Sequence, residues 1–138
     1  MVVHPRLGRG AVHHIELRVN DLVSATSSWE WLLVSLGYAE FQRWPEGISW
    51  ILDGTYLVLE QAPRPGRHDR RDAGLNHLAF QGGERSEVDA LWEAAPSHGW
   101  RQLYADRYPW AGGEPDDQGR GPYAAFIENE ERFVATDR

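Results

Sequence analysis

Two histidines in this chain stand in matching company. His14 opens HIELRV and His77 opens HLAF, 63 residues apart, each followed by alternating apolar side chains. A carboxylate, Glu60, closes the run YLVLE, and Arg18 follows His14 four residues on. Neutral imidazole binds zinc, iron, nickel or manganese, and a carboxylate offsets part of the ion's charge. An ion held that way polarises a substrate oxygen or lowers the pKa of a bound water. Arg18 can grip an anionic group with two parallel hydrogen bonds, or it can pair with Glu16. Trp44, Trp50, Tyr56, Trp110 and Tyr123 supply flat apolar surface of the kind that lines small-molecule pockets. The chain has no Cys, so disulfides, thiolate metal sites and a cysteine nucleophile are excluded. It has no glycine-rich phosphate cradle and no nucleophile elbow.

Residues so far apart can meet only if a repeated architecture carries them. Residues 11–19 alternate and predict a strand with Ile15, Leu17 and Val19 under a helix and His14, Glu16 and Arg18 on the other face. His13 is expected on the face opposite His14. Asp21 is placed to cap a helix whose apolar stripe runs Leu22, Ala25, Trp29, Leu32, Leu33, Leu36, with Gly37 to end it. Strands are expected at 38–44, 48–53 and 55–61, with turns at Pro45-Glu46-Gly47 and Asp53-Gly54. The same order then returns. A strand at 74–81 precedes a helix capped at Ser86 with Asp89 in capping-box spacing. That helix carries Val88, Leu91, Trp92 and Ala95 and is shortened by Pro96, and strands follow at about 100–105, 121–128 and 132–137. The chain thus predicts an α+β domain over 1–138, built of two tandem βαβββ modules at about 11–62 and 74–138. Residues 63–73, arginine-rich but interleaved with Asp69 and Asp72, read as a solvated linker. The long loop 106–120 reads either as a binding segment or as mobile surface chain.

Four segments in this order, HIELRVNDL at 14–22, YLVLEQ at 56–61, GLNHLAF at 74–80 and YAAFIEN at 123–129, resemble the vicinal oxygen chelate superfamily. It contains glyoxalase I, bleomycin-resistance proteins, fosfomycin-modifying thiol transferases and extradiol dioxygenases. The resemblance covers about residues 11–137. It implies that the modules curl into an open, barrel-like cavity with helices outside, often around a divalent metal, and that two chains often pair as a homodimer. Carried onto this chain, it implies metal ligation by His14, Glu60 and His77, with Glu60 also catalytic. Arg18, Trp50, Tyr56, Trp110 and Tyr123 would contact substrate. One divalent ion, zinc, iron, manganese or nickel, would serve isomerisation, dioxygenation or addition of a thiol to an electrophile.

The glyoxalase pattern also carries a second carboxylate in the last strand. In ENEERFVATDR its place falls on Thr136, or on Val134 or Ala135 with a small shift, and none of these is acidic. Asp137 has the right chemistry but the wrong parity. Loss of that acid favours the other reading, a metal-free protein that sequesters a small aromatic or cationic compound.

Composition bounds the rest. With 138 residues and 41% hydrophobic content, the chain suits one compact domain. Seven Trp, five Tyr and four Phe are more than its core needs. A balance of 14 basic against 21 acidic residues, net -7, argues against nucleic acid as a partner. No apolar run approaches the length of a signal peptide or a membrane span, so a cytoplasmic protein with a small-molecule ligand and no membrane partner is expected.

Overall fold

Period-two alternation governs the first strand, β1 (His14–Val19): Leu17 and Val19 are buried and Ile15 half-buried, while His14, Glu16 and Arg18 stay exposed. The computed structural model describes residues 7–138. Asp21 caps the next element, α1 (Leu22–Ser35), by accepting hydrogen bonds from the N–H groups of Val23 and Ser24 at 3.1 and 3.3 Å. These are two of the four N–H donors that a helix start leaves unpaired. Ala25, Trp29, Leu32 and Leu33 form its buried stripe. Gly37, at φ +100°, releases the chain into β2 (Ala39–Trp44), β3 (Gly47–Leu52) and β4 (Thr55–Gln61). Asp53 and Gly54 both have positive φ, as a two-residue hairpin requires. Gly47 is needed for space, since a Cβ there would stand 2.8 Å from the Leu59 carbonyl oxygen.

The strand order is β1-β4-β3-β2, with β1 parallel to β4 and the other pairs antiparallel. Ile48, Trp50, Leu57 and Leu59 point from the sheet toward α1 and close the first core.

The second module repeats this plan. Its strands are β5 (Leu78–Phe80), β6 (Trp100–Leu103), β7 (Ala125–Asn129) and β8 (Val134–Asp137), in the order β5-β8-β7-β6 with β5 parallel to β8. The chain is therefore α+β, two βαβββ modules, each with a four-stranded mixed sheet. β5 is shorter than the expected 74–81, and His77 immediately precedes it. The helix α2 (Arg85–Ala94) begins earlier than Ser86: Glu84 is the cap residue, and its N–H donates to the Glu87 carboxylate at 3.0 Å. Pro96 lies in a short 3-10 turn, Ala95–His98, which Gly99 ends at φ +86°. Val88, Leu91, Trp92, Trp100, Ile127 and Ala135 make the second core.

The boundary between the compact units falls after Gly66. The arginine-rich stretch is not a free linker, because its residues 68–71 are fastened to the second unit. His68 stacks on Phe133 with ring centroids 4.3 Å apart. Arg70 pairs with Glu128 at 2.5 Å. Asp69 pairs with Arg71 at 2.6 Å and with Arg132 at 3.2 Å. The Arg71 side chain, followed by its backbone N–H, holds the Asp69 carboxyl well below the usual carboxylate range. Among the described residues no helix is long and apolar enough to cross a membrane.

Candidate functional site

The face of the first sheet turned away from α1 carries most of the predicted residues. Parallel pairing sets His14 opposite Tyr56, Glu16 opposite Val58 and Arg18 opposite Glu60. His14 lies flat on Tyr56, the rings 4.7 Å apart and 3° from parallel. Phe41, at the irregularity in β2, reaches the same tyrosine at 5.3 Å and is 39% exposed. His13 does not turn to the opposite face. It precedes β1, meets the Tyr56 ring edge-on at 5.4 Å and places its Nδ1 2.9 Å from that of His14. One of those nitrogens must donate and the other accept. The result is an accessible aromatic cluster of two imidazoles, a phenol ring and a phenyl ring.

Glu60 does not join it. Its carboxylate lies 3.4 Å from the Arg18 guanidinium. It also stands four residues along β4 from Tyr56, about 13 Å at the ordinary rise of a strand. The acid nearest His14 is Glu16, 3.8 Å from Nε2. Alternation could have shown this, since residues two apart share a face. His77 belongs to the second unit, where its Nδ1 lies 2.6 Å from the Asn76 amide oxygen and its ring 5.8 Å from Phe126. Among the described residues no group of three or more His, Asp or Glu side chains is placed to hold a metal ion. Within the first unit, the predicted acid Glu60 thus lies along the strand from His14 and pairs with Arg18 instead.

The other predicted contact residues divide. Trp50 is 0% exposed on the α1 side of its sheet, opposite Leu57, and is a core residue rather than a ligand contact. Trp110 and Tyr123 lie together in the second unit, 5.5 Å apart and nearly perpendicular. They belong to a loop pinned onto α2, where Tyr108 and Tyr123 both donate to one carboxylate oxygen of Asp89, at 2.5 and 2.6 Å. The loop is thus ordered against the helix, and Asp89 serves as its anchor rather than as part of a helix cap. Arg85, unremarked in the sequence, stands 4.7 Å above the Tyr123 ring and 5.4 Å from that of Trp110.

Internal comparison of the modules also locates the counterpart of Glu60. Thr136 lies opposite Ala79, as Val58 lies opposite Glu16, so Thr136 is the counterpart of Val58. The counterpart of Glu60 is two residues on, at Arg138, whose N–H donates to the Phe80 carbonyl. The second module carries a base where the first carries an acid. A further acid carries no signal in the sequence: Glu128, in β7, is 1% exposed and pairs with Arg70 and Arg101.

No protein-family model matches the chain. It is 44% identical over 125 residues to the uncharacterized protein YqjT of Bacillus subtilis (strain 168), covering 88% of this chain and 93% of that one. Among solved structures, a candidate glyoxalase from Bacillus halodurans superposes with a TM-score of 0.82 at 36% identity, over 94% of this chain and 97% of that one. The fosfomycin resistance protein FosX of Listeria monocytogenes, in a complex with Mn(II) and 1S,2S-dihydroxypropylphosphonic acid, shares the fold: TM-score 0.63 at 18% identity, over 94% and 89% of the two chains. The chain belongs to the glyoxalase, bleomycin-resistance and dioxygenase superfamily, the vicinal oxygen chelate proteins.

Proposed function

We propose that this member of the superfamily binds a small, flat, partly apolar molecule directly on the face formed by His13, His14, Phe41 and Tyr56, and sequesters it without a resident ion. The observation that carries this reading is the flat, accessible aromatic surface that His14 forms with Tyr56, while Glu60, the predicted co-ligand, is paired with Arg18. Ring faces attract cations, and the exposed Glu16 beside the cluster favours a neutral or positively charged ligand over an anion. The net charge of -7 acts in the same direction. Binding of this kind needs only shape, apolar contact and charge, so no chemical step is assigned to the site.

Elemental analysis of protein purified without chelator tests the reading. The expected result is well under one equivalent of zinc, iron, manganese or nickel, with no gain in melting temperature on adding those ions. A stoichiometric ion lost in both His14→Ala and His77→Ala would overturn it. With benzyltrimethylammonium as probe, Tyr56→Ala and Phe41→Ala should each weaken binding by about tenfold, the loss expected of one good aromatic contact.

A further inference from the structure

The second unit contains a cavity of about 520 Å³, a size that suits a small ligand. Gln81, Arg85, Val88, Pro122, Tyr123 and Arg138 line it. Among the described residues, seven of the chain's fourteen arginines pair with a side-chain carboxylate, and the two cations here are not among them. Arg18, Arg43, Arg70, Arg71, Arg101, Arg120 and Arg132 each pair with a carboxylate, whereas among the described residues neither Arg85 nor Arg138 does.

Comparison of the modules shows what is unusual here. At this point of the first sheet, Arg18 faces Glu60 and the two charges cancel. At the matching point of the second, Gln81 takes the place of Arg18 and Arg138 that of Glu60. The N–H of Arg138 donates to the Phe80 carbonyl at 3.0 Å, and a main-chain oxygen of Arg138 accepts from the Gly82 N–H at 2.6 Å. Among the described residues no side-chain carboxylate pairs with the Arg138 guanidinium. Arg85 adds a second, and it is held in position: one N–H donates to the Gly119 carbonyl at 2.7 Å while the guanidinium rests over Tyr123. A guanidinium has five N–H donors, so most remain available. Three acids of this unit have partners of their own. Asp89 accepts from two tyrosines, Glu87 from the Glu84 N–H, and Asp116 pairs with Arg120.

We infer that this cavity binds a small organic anion, its carboxylate or phosphate held between Arg85, Arg138 and the Gln81 amide and its apolar body against Val88, Pro122 and the Tyr123 ring. Two guanidiniums and an amide form the donor set for such a headgroup, and the surrounding apolar surface rewards a hydrocarbon or aromatic body over a bare ion. The loop that carries Trp110 and Tyr123 forms one wall. Gly121 lets its limbs close, since a Cβ there would stand 2.9 Å from the Pro115 Cα. This site uses none of the residues of the proposed aromatic face, and either can fail while the other stands.

Amide and indole NMR spectra of the full chain, titrated with benzoate, phenyl phosphate, benzamide and inorganic phosphate, test the inference. Benzoate or phenyl phosphate should shift the Gly83, Gly121 and Tyr123 amides and the Trp110 indole saturably, and benzamide should bind at least about tenfold more weakly. Arg138→Gln changes no described side-chain contact and should weaken anion binding by about tenfold at unchanged melting temperature. Arg85→Gln should do the same, with Arg85→Lys recovering part of the loss. The inference is overturned if neither aromatic anion gives saturable shifts at these positions, if benzamide matches benzoate, or if Arg138→Gln binds as the parent does. Inorganic phosphate binding as tightly as phenyl phosphate would overturn the apolar half of the assignment.

Discussion

Glu128 keeps a carboxylate almost wholly out of water, at 1% exposure, between the guanidiniums of Arg70 and Arg101. Burying a charge costs several kcal/mol unless close partners repay it, so removing one member of such a set is damaging. Glu128→Gln preserves shape but leaves two cations facing a neutral amide, and it should cost about 2–3 kcal/mol in urea unfolding. Arg101 is 70% exposed, and Arg101→Gln should cost under about 1 kcal/mol because water replaces the lost contact. Equal losses for the two substitutions would contradict this division of roles. Single residues were legible in the sequence as far as alternation reaches: Leu17 and Val19 in, His14, Glu16 and Arg18 out. The partners across strands were not, because register is a property of two segments. Nothing in YLVLEQ says that Tyr56 rather than Glu60 meets His14. Likewise, nothing near Glu128 points to an arginine 58 residues earlier.

Elements carry more of their own signals. Asp21 and Gly37 mark the ends of α1 by the chemistry expected of a cap and a left-handed stop. The start of α2 is harder to read because Asp89 resembles a capping partner, while the structure gives that role to Glu87 and uses Asp89 to fasten the loop. That fastening has a measurable consequence. Hydrogen bonds from Tyr108 and then Tyr123 hold the Asp89 carboxyl below its usual range. Burial, followed by the Asp89 carboxylate, pushes the Tyr108 phenol above its ordinary value, and the Asp89 carboxylate does the same to Tyr123.

A phenol whose pKa is raised on folding stabilises the protein below the unfolded value, near 10, and that contribution is lost as pH rises through the folded value. Ultraviolet titration at alkaline pH should therefore show two tyrosines ionising late, together with unfolding. In Asp89→Asn both should ionise earlier. At the acid end the sign is opposite. The Asp89 contribution is present above about pH 4 and falls away as pH drops through its lowered folded pKa.

The whole chain shows its duplication plainly, because the two sheets share one strand order and one parallel pair. Where the units divide was harder to read, since 63–73 has the polar composition of a linker. Attachment, not composition, decides how such a segment behaves: residues 68–71 are tied to Phe133, Arg132 and Glu128, while 63–67 are exposed and held at Gly66 by the Asn20 amide of the first unit. Proteases cut where several residues can leave the surface together. Arg64 precedes a proline and resists trypsin, so within residues 63–73 the first tryptic cut should follow Arg67, with Arg70 and Arg71 spared. Mass spectrometry of an early time point reads this directly, and prompt cleavage after Arg70 or Arg71 would show the tie to be weak.

The same tie tells an engineer where halves of related chains can be exchanged. A crossover between Gly66 and Arg67 keeps Arg70 in the fragment that contains Glu128, so the buried acid travels with its counter-charge. A crossover a few positions later, where the polar composition looks just as inviting, would deliver that acid to a chimera stripped of its native guanidinium. Such hybrids should express poorly even when both parents fold well.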